Sequence, residues 1–142
     1  MKQEQRNTGL DREAVVRKLR EHGITPTQQR VDIATVLFER PQHVCADQVL
    51  AQVNAVESLV SKATVYNTLG LFAKKGLVRE VLVDPTRLFY DSNMIPHHHM
   101  YHSDSGMLED VAPGQVQLGA LPEAPEGMVI EGVDVVIRVR RI

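Results

Sequence analysis

The segment formed by residues 61–90 constrains the fold most, because it predicts one helix followed directly by a β-hairpin. An apolar face recurs at helical spacing, with a capping residue before it and a glycine after it. The residues that mark this helix are Ser61 at its start, Val65, Leu69 and Phe72 on its inner face, and Gly76 after its end. Two apolar runs, 77–83 and 88–90, then flank the turn-forming sequence DPTR. We therefore expect a helix, a strand, a tight turn and a second strand.

Three shorter helices are predicted before this segment. The first begins near the sequence TGLD at 8–11 and ends at about residue 22. The second begins at TPTQ, where Thr25 would be the cap and Pro26 the first helical residue. The third spans about 46–53. Several helices, then a helix with a polar leading end and a hairpin, are the order of a winged helix-turn-helix.

In that fold, the helix at 61–76 would enter the major groove of DNA and the hairpin would meet phosphate. The leading end of the helix offers side chains that hydrogen-bond to base edges, and its tyrosine can also contact a thymine methyl group. We expect base contacts from Lys62, Thr64, Tyr66 and Asn67, and phosphate contacts from Ser61 and Arg87. The alternative is an ordinary α+β domain whose surface helix happens to be polar.

Composition and charge exclude several other classes of protein. No run in the 142 residues approaches the ~20 apolar residues of a membrane span, and the start lacks the apolar core of a signal peptide. We therefore expect a cytoplasmic protein. The single cysteine, Cys45, excludes an internal disulfide framework. Residues 1–87 carry thirteen Lys and Arg against ten Asp and Glu, and residues 88–142 carry three against eight, which indicates two modules with different partners.

Four of the six histidines fall within residues 97–102, and this cluster predicts a metal site. On an extended strand, His97 and His99 would project to one face and His98 to the other. Carboxylates precede and follow the cluster, and nitrogen and oxygen ligands together suit iron, manganese or zinc. The alternative is a solvated histidine run on an exposed strand or loop.

The C-terminal region predicts short strands and little core of its own. Candidate strands span 98–102, 107–111, 116–118 and 133–139. A region of roughly 45 residues can hardly sustain a separate core, so we expect it to pair with a second copy.

Three motifs in this order resemble the ferric uptake regulator (Fur) family. They are GITPTQQR at 23–30 followed by His43, ATVYNTL at 63–69, and FYD at 89–91 followed by His97 and His99. The resemblance implies an α+β chain. Residues 1–88 would form a winged helix-turn-helix domain, residues 89–97 a hinge, and residues 98–142 a small α/β domain for dimerisation and metal sensing. It also implies a homodimer on an AT-rich inverted repeat of double-stranded DNA, with no membrane partner.

Carried over residue by residue, the resemblance implies one regulatory metal between the two domains. Fe(II) or Mn(II) is expected there, with Zn(II) possible in the isolated protein. The implied ligands are His43, Asp91, His97, His99 and Asp110.

The departures from the family's pattern leave alternatives open. His102 and Ser105 stand where most members carry Cys-x-x-Cys, so a structural zinc site of four cysteines is not expected. Aspartate at both carboxylate positions is similar to the peroxide-sensing members, whereas the C-terminal half looks like the iron response regulators, which are linked to haem. We expect a metal-dependent repressor of iron homeostasis or peroxide stress. The alternatives are a haem-responsive regulator that binds DNA without metal, a small metalloenzyme, or a metal-storage protein. No nucleophile dyad is evident, so an enzyme is not expected.

Overall fold

The computed structural model of the chain describes residues 10–55 and 60–142. It divides into two compact units, Met1–Met94 and Ile95–Ile142. The boundary between the units lies within the segment 89–97 that the sequence assigns to a hinge, and the first residues of that segment belong to a strand of the first unit.

The described part of the first unit contains four helices. They are α1 (Arg12–Glu21), α2 (Gln28–Leu37), α3 (Ala46–Val53) and α4 (Lys62–Lys74). Asp11 caps α1 and Ser61 caps α4, each through a side-chain oxygen that accepts a hydrogen bond from a backbone amide in the first turn. The expected start of α1 at residues 8–9 lies outside the described part of the chain.

The predicted cap of α2 was wrong by two residues. Thr27, with an extended backbone, is the cap, and its hydroxyl accepts from the Arg30 amide at 3.3 Å. The carbonyl of Thr25 instead accepts from the Arg30 guanidinium at 3.1 Å. Pro26 therefore precedes the helix instead of starting it.

The core of the first unit is built from the apolar helix faces. The face predicted for α4 is confirmed, since its apolar residues are fully buried, and in α1 Val15 and Leu19 are fully buried as well. The fully buried face of α4 consists of Val65, Leu69 and Phe72. Complete burial of each such side chain contributes roughly 1.5–3 kcal/mol, so this packing fixes α4 against the other helices.

A three-stranded antiparallel sheet completes the first unit. Its strands are β1 (His43–Val44), β2 (Arg79–Asp84) and β3 (Arg87–Asp91), in the order β1-β3-β2. The predicted hairpin is confirmed as β2 and β3, joined by a turn at residues 85–86. The Thr86 amide and hydroxyl each donate to Asp84 at 2.7 Å, and these hydrogen bonds lower the pKa of the Asp84 carboxyl.

The second unit is a smaller sheet. Its strands are β4 (His99–His102), β5 (Leu108–Asp110) and β6 (Val136–Val139), in the order β5-β4-β6. Strand β5 is antiparallel to β4 and β6 is parallel to it. The predicted strand at 116–118 was wrong, and the last strand begins at Val136 instead of residue 133. The chain as a whole is α+β, as the sequence predicts.

Much of the apolar surface of the second unit is exposed in a single chain. Tyr101, Leu108 and Val111 are buried, whereas Met128 and Val129 are 70% and 80% exposed. This matches the expectation that a region of this size does not complete a core by itself. Within the described residues, no helix is long and apolar enough to span a membrane.

Candidate metal centre and nucleic-acid interface

The pairing of β4 with β5 brings two histidines to one carboxylate in the second unit. His99 lies directly opposite Asp110 in the register of these strands, and His97 precedes β4 by two residues. The Nε2 atoms of His97 and His99 lie 3.1 Å and 3.4 Å from the same Asp110 oxygen. The two imidazole rings are 4.4 Å apart between centroids, and His99 is almost fully buried.

The distances from the two Nε2 atoms to the Asp110 oxygen fit one metal ion. Ligand atoms about 2.1 Å from a metal, at angles of about 90–110°, lie roughly 3.0–3.4 Å from each other. The observed distances of 3.1 Å and 3.4 Å fall in that range. Two imidazoles and a carboxylate are also the ligands that divalent iron, manganese and zinc accept.

A backbone contact sets the tautomer of His97. Its Nδ1 lies 2.6 Å from the Ile95 carbonyl oxygen, which can only accept a hydrogen bond, so Nδ1 carries the proton. In the same ring, Nε2 lies 3.1 Å from the Asp110 oxygen. A hydrogen bond at the outer nitrogen, which leaves the other nitrogen directed at the metal, is typical of metal-bound histidine.

The other two histidines of the cluster face different partners. His98 Nδ1 accepts a hydrogen bond from the Val135 amide at 3.1 Å, so neutral His98 has its proton on Nε2 and its lone pair engaged. His102 Nε2 lies 3.2 Å from a Glu109 carboxylate oxygen. His98 is thus turned towards the segment that leads into β6, as the alternation of side chains predicts.

The first unit holds the two remaining residues that the resemblance implies as ligands. His43 and Asp91 are opposite each other in the register of β1 and β3, so their Cβ atoms are about 5 Å apart. Asp91 is buried and accepts a hydrogen bond from the Asn93 amide at 2.8 Å. The two-residue strand β1 was missed because it is too short to show an alternating pattern.

The leading end of α4 is exposed, as a base-reading helix requires. Lys62 and Asn67 are exposed, Tyr66 is 44% exposed and Thr64 is half-buried. Ser61 is engaged as the cap, and its hydroxyl also donates to the Thr64 hydroxyl at 2.9 Å. The hydroxyls of this pair bind each other.

The hairpin and α4 line one groove of the first unit. Arg87 is exposed at the start of β3, and it lines a groove of about 490 Å³ together with Tyr66 and the first residues of α3. One of those residues, Asp47, was missed by sequence reasoning. It contacts both Lys62 and Tyr66, and no local signal relates positions so far apart along the chain.

A winged helix-turn-helix unit followed by a unit that gathers histidine and carboxylate ligands defines a class of metal-sensing transcriptional regulators. The sequence model of the ferric uptake regulator family matches residues 21–135. The chain belongs to this family, whose members are regulators that bind DNA as dimers and are not enzymes.

Individual relatives support the same assignment. The chain is 30% identical over 98 residues to the peroxide-responsive repressor PerR of Staphylococcus aureus (strain Mu50), which covers 69% of this chain and 66% of that protein. The chain thus spans 66% of the length of this curated relative. Among solved structures, a ferric uptake regulator from Pseudomonas aeruginosa with manganese shares 26% sequence identity with this chain. The two structures superpose with a TM-score of 0.66 over 88% of this chain and 96% of that one. The Vibrio cholerae ferric uptake regulator is 19% identical, with a TM-score of 0.70 over 89% and 98%, and shows the shared fold.

Proposed function

We propose that this protein is a cytoplasmic, homodimeric transcriptional repressor whose DNA binding is controlled by Fe(II) or Mn(II) bound between its two units. The observation that carries this proposal is the convergence of the His97 and His99 Nε2 atoms on one Asp110 oxygen, at 3.1 Å and 3.4 Å. A divalent cation at this point supplies positive charge that several neutral and anionic ligands can share.

The two units would each contribute part of the ligand set. The first unit offers His43 and Asp91 as a cross-strand pair, and the second offers the other three ligands. Ligands from both units bound to one ion would hold the units at a fixed angle. In a dimer, that angle sets the distance between the two α4 helices. The ion promotes DNA binding only to the extent that it binds this arrangement better than others.

The DNA contacts would come from α4 and the hairpin. We assign base contacts to Lys62, Tyr66 and Asn67, which are exposed. Thr64 would contact a base edge only after the hydrogen bond between its hydroxyl and the Ser61 hydroxyl is broken. Ser61 itself would contact phosphate. Arg87 would bind phosphate as a charge on the hairpin. The expected operator is an AT-rich inverted repeat.

Aspartate, instead of glutamate, at both carboxylate positions favours hydrogen peroxide as a signal in addition to iron. Both Asp91 and Asp110 are aspartates, and a relative 30% identical to this chain is a peroxide-responsive repressor. In the Fe(II) form, one oxygen atom of hydrogen peroxide would be transferred to the imidazole of His43 or His97, with water as the second product. Mass spectrometry of the treated Fe(II) protein should then show a gain of about 16 Da, one oxygen atom, on one of these histidines. Treated protein without this adduct would refute peroxide sensing.

The main proposal is tested by fluorescence anisotropy with a labelled AT-rich inverted repeat. Wild-type protein should bind with Mn(II) and release the duplex when the metal is removed, because Mn(II) fills the site without iron's redox chemistry. His97→Ala should abolish the effect of Mn(II), and His98→Ala is the matched control. Equal binding by the metal-free protein would contradict metal control and make haem the next ligand to test.

A further inference from the structure

Asp47 links the start of α3 to the base-reading side chains of α4. It is the second residue of α3, and its side chain is 69% exposed. One of its carboxylate oxygens lies 3.7 Å from Lys62 Nζ and accepts a hydrogen bond from the Tyr66 hydroxyl at 3.4 Å. Lys62 Nζ also lies 5.7 Å from the centre of the Tyr66 ring, so the three side chains contact one another.

We propose that Asp47 is a specificity-determining residue that weakens binding to DNA without the operator sequence. The inference rests on the proposed DNA-binding function and assigns to this carboxylate a role that sequence reasoning did not give it. Asp47 lines the same groove as Tyr66 and Arg87, so its negative charge lies on the face assigned to DNA.

The first part of the effect is a penalty on every DNA sequence. Binding without sequence preference depends on phosphate contacts by Lys and Arg, which release counterions. The carboxylate of Asp47 attracts Lys62 away from phosphate and repels phosphate itself. A lysine held in this way adds less to the phosphate contacts of non-operator DNA.

The second part is a benefit confined to the operator. The hydrogen bond to Asp47 fixes the hydroxyl end of Tyr66, which is 44% exposed, and so restricts the positions that its ring can take. A positioned ring strengthens binding only where a thymine methyl group lies against it. The shared cost weakens binding to both kinds of DNA alike and leaves the ratio of specific to non-specific affinity unchanged. The benefit found only on the operator raises that ratio.

Two substitutions at Asp47 separate these parts. Asp47→Asn removes the charge and keeps an oxygen that can accept from Tyr66, whereas Asp47→Ala removes both. Asp32→Asn is the matched control, because Asp32 also pairs with a cation, Arg12 at 2.8 Å, but links α1 to α2 outside the groove. Each full-length variant is saturated with Mn(II) and titrated onto the AT-rich inverted repeat and onto a shuffled duplex of equal length.

Asp47→Asn should bind the shuffled duplex at least about fivefold more tightly at 0.1 M salt, because each freed lysine adds about one phosphate contact. The plot of log affinity against log salt should become steeper by about 0.9 for each protomer. The ratio of specific to non-specific affinity should stay unchanged in this variant, because the charge penalises both duplexes and the acceptor for Tyr66 is kept. Asp47→Ala should lower that ratio, because it also removes the acceptor for Tyr66 and so weakens operator binding, and Asp32→Asn should leave it unchanged.

Three results would overturn the inference, and they are distinguishable. An unchanged salt slope in Asp47→Asn together with an unchanged affinity ratio in Asp47→Ala, with normal operator preference in the wild type, would refute the role of Asp47 alone. An equal effect of Asp32→Asn would show that the change in affinity follows from the net charge of the protein and not from the position of Asp47. Wild-type protein with no preference between the two duplexes would refute the proposed function, and the role of Asp47 with it.

Discussion

The arrangement of His97, His99 and Asp110 predicts that alanine substitutions of His97 and of its neighbour His98 have different effects on metal binding. His97 directs Nε2 at Asp110 at 3.1 Å, whereas His98 accepts from the Val135 amide through Nδ1. Replacing His97 with alanine removes a donor atom from the cluster. Replacing His98 with alanine removes the same chemical group from the adjacent position and leaves the three donor atoms in place.

The size of the effect follows from linkage between metal binding and folding. Free Mn(II) at about 100 times its dissociation constant stabilises the wild-type fold by about 2.7 kcal/mol, since the unfolded chain lacks the site. For a chain of this length, that corresponds to a rise in melting temperature of roughly 10 °C. Loss of a hydrogen-bonding partner of a ligand weakens metal binding about 10–100-fold, so loss of the ligand itself should weaken it at least about 100-fold. The same Mn(II) concentration would then stabilise His97→Ala by only about 0.4 kcal/mol, or 1–2 °C.

Differential scanning calorimetry with and without Mn(II) measures this difference. The metal-free melting temperature of each variant is its own reference, so a general loss of stability in His98→Ala does not obscure the result. We expect His98→Ala to keep a rise close to that of the wild type. The reasoning is refuted if His97→Ala retains the full Mn(II)-dependent rise, or if His98→Ala loses it to the same extent.

Three further predictions concern the first unit. Arg87→Ala should weaken binding to all duplexes alike and lower the salt slope by about 0.9 per protomer, as anisotropy at several salt concentrations would show; a sequence-selective loss would contradict a phosphate contact. Phe72→Ala, at a fully buried position of α4, should lower the free energy of unfolding by about 3–5 kcal/mol in urea titrations, and a loss below 1 kcal/mol would refute its place in the core. Thr86→Ala should raise the pKa of Asp84 towards its ordinary value in carboxyl NMR titrations, because it removes the hydroxyl hydrogen bond that lowers this pKa most, while the backbone amide still donates. Since the folded pKa is lowered, the stabilisation is present above the ordinary carboxyl pKa and is lost as the pH falls through the folded value, so the variant should show less of this dependence.

Elements whose signals are local could be predicted from the residues alone. The position of α4 followed from the capping chemistry of Ser61 and from an apolar face at a spacing of three to four residues. The hairpin followed from a turn sequence between two apolar runs. These signals lie within one or two helical turns or one tight turn, where backbone geometry fixes which residues are neighbours. The alternation of side chains around residues 97–99 likewise predicts that His98 has a different partner from His97 and His99, and His98 accepts from the Val135 amide.

The contacts between distant segments depend on strand pairing and helix packing, which become visible in the folded chain. The register of β4 and β5 placed Asp110 against His99, and the short strand β1 placed His43 opposite Asp91. The strand predicted at 116–118 did not form, since these residues pair with neither outer edge of the sheet β5-β4-β6. Asp47 contacts a tyrosine nineteen residues away through the packing of α3 on α4. In each case the neighbours are set by pairing and packing between elements, which a local pattern of residues does not encode.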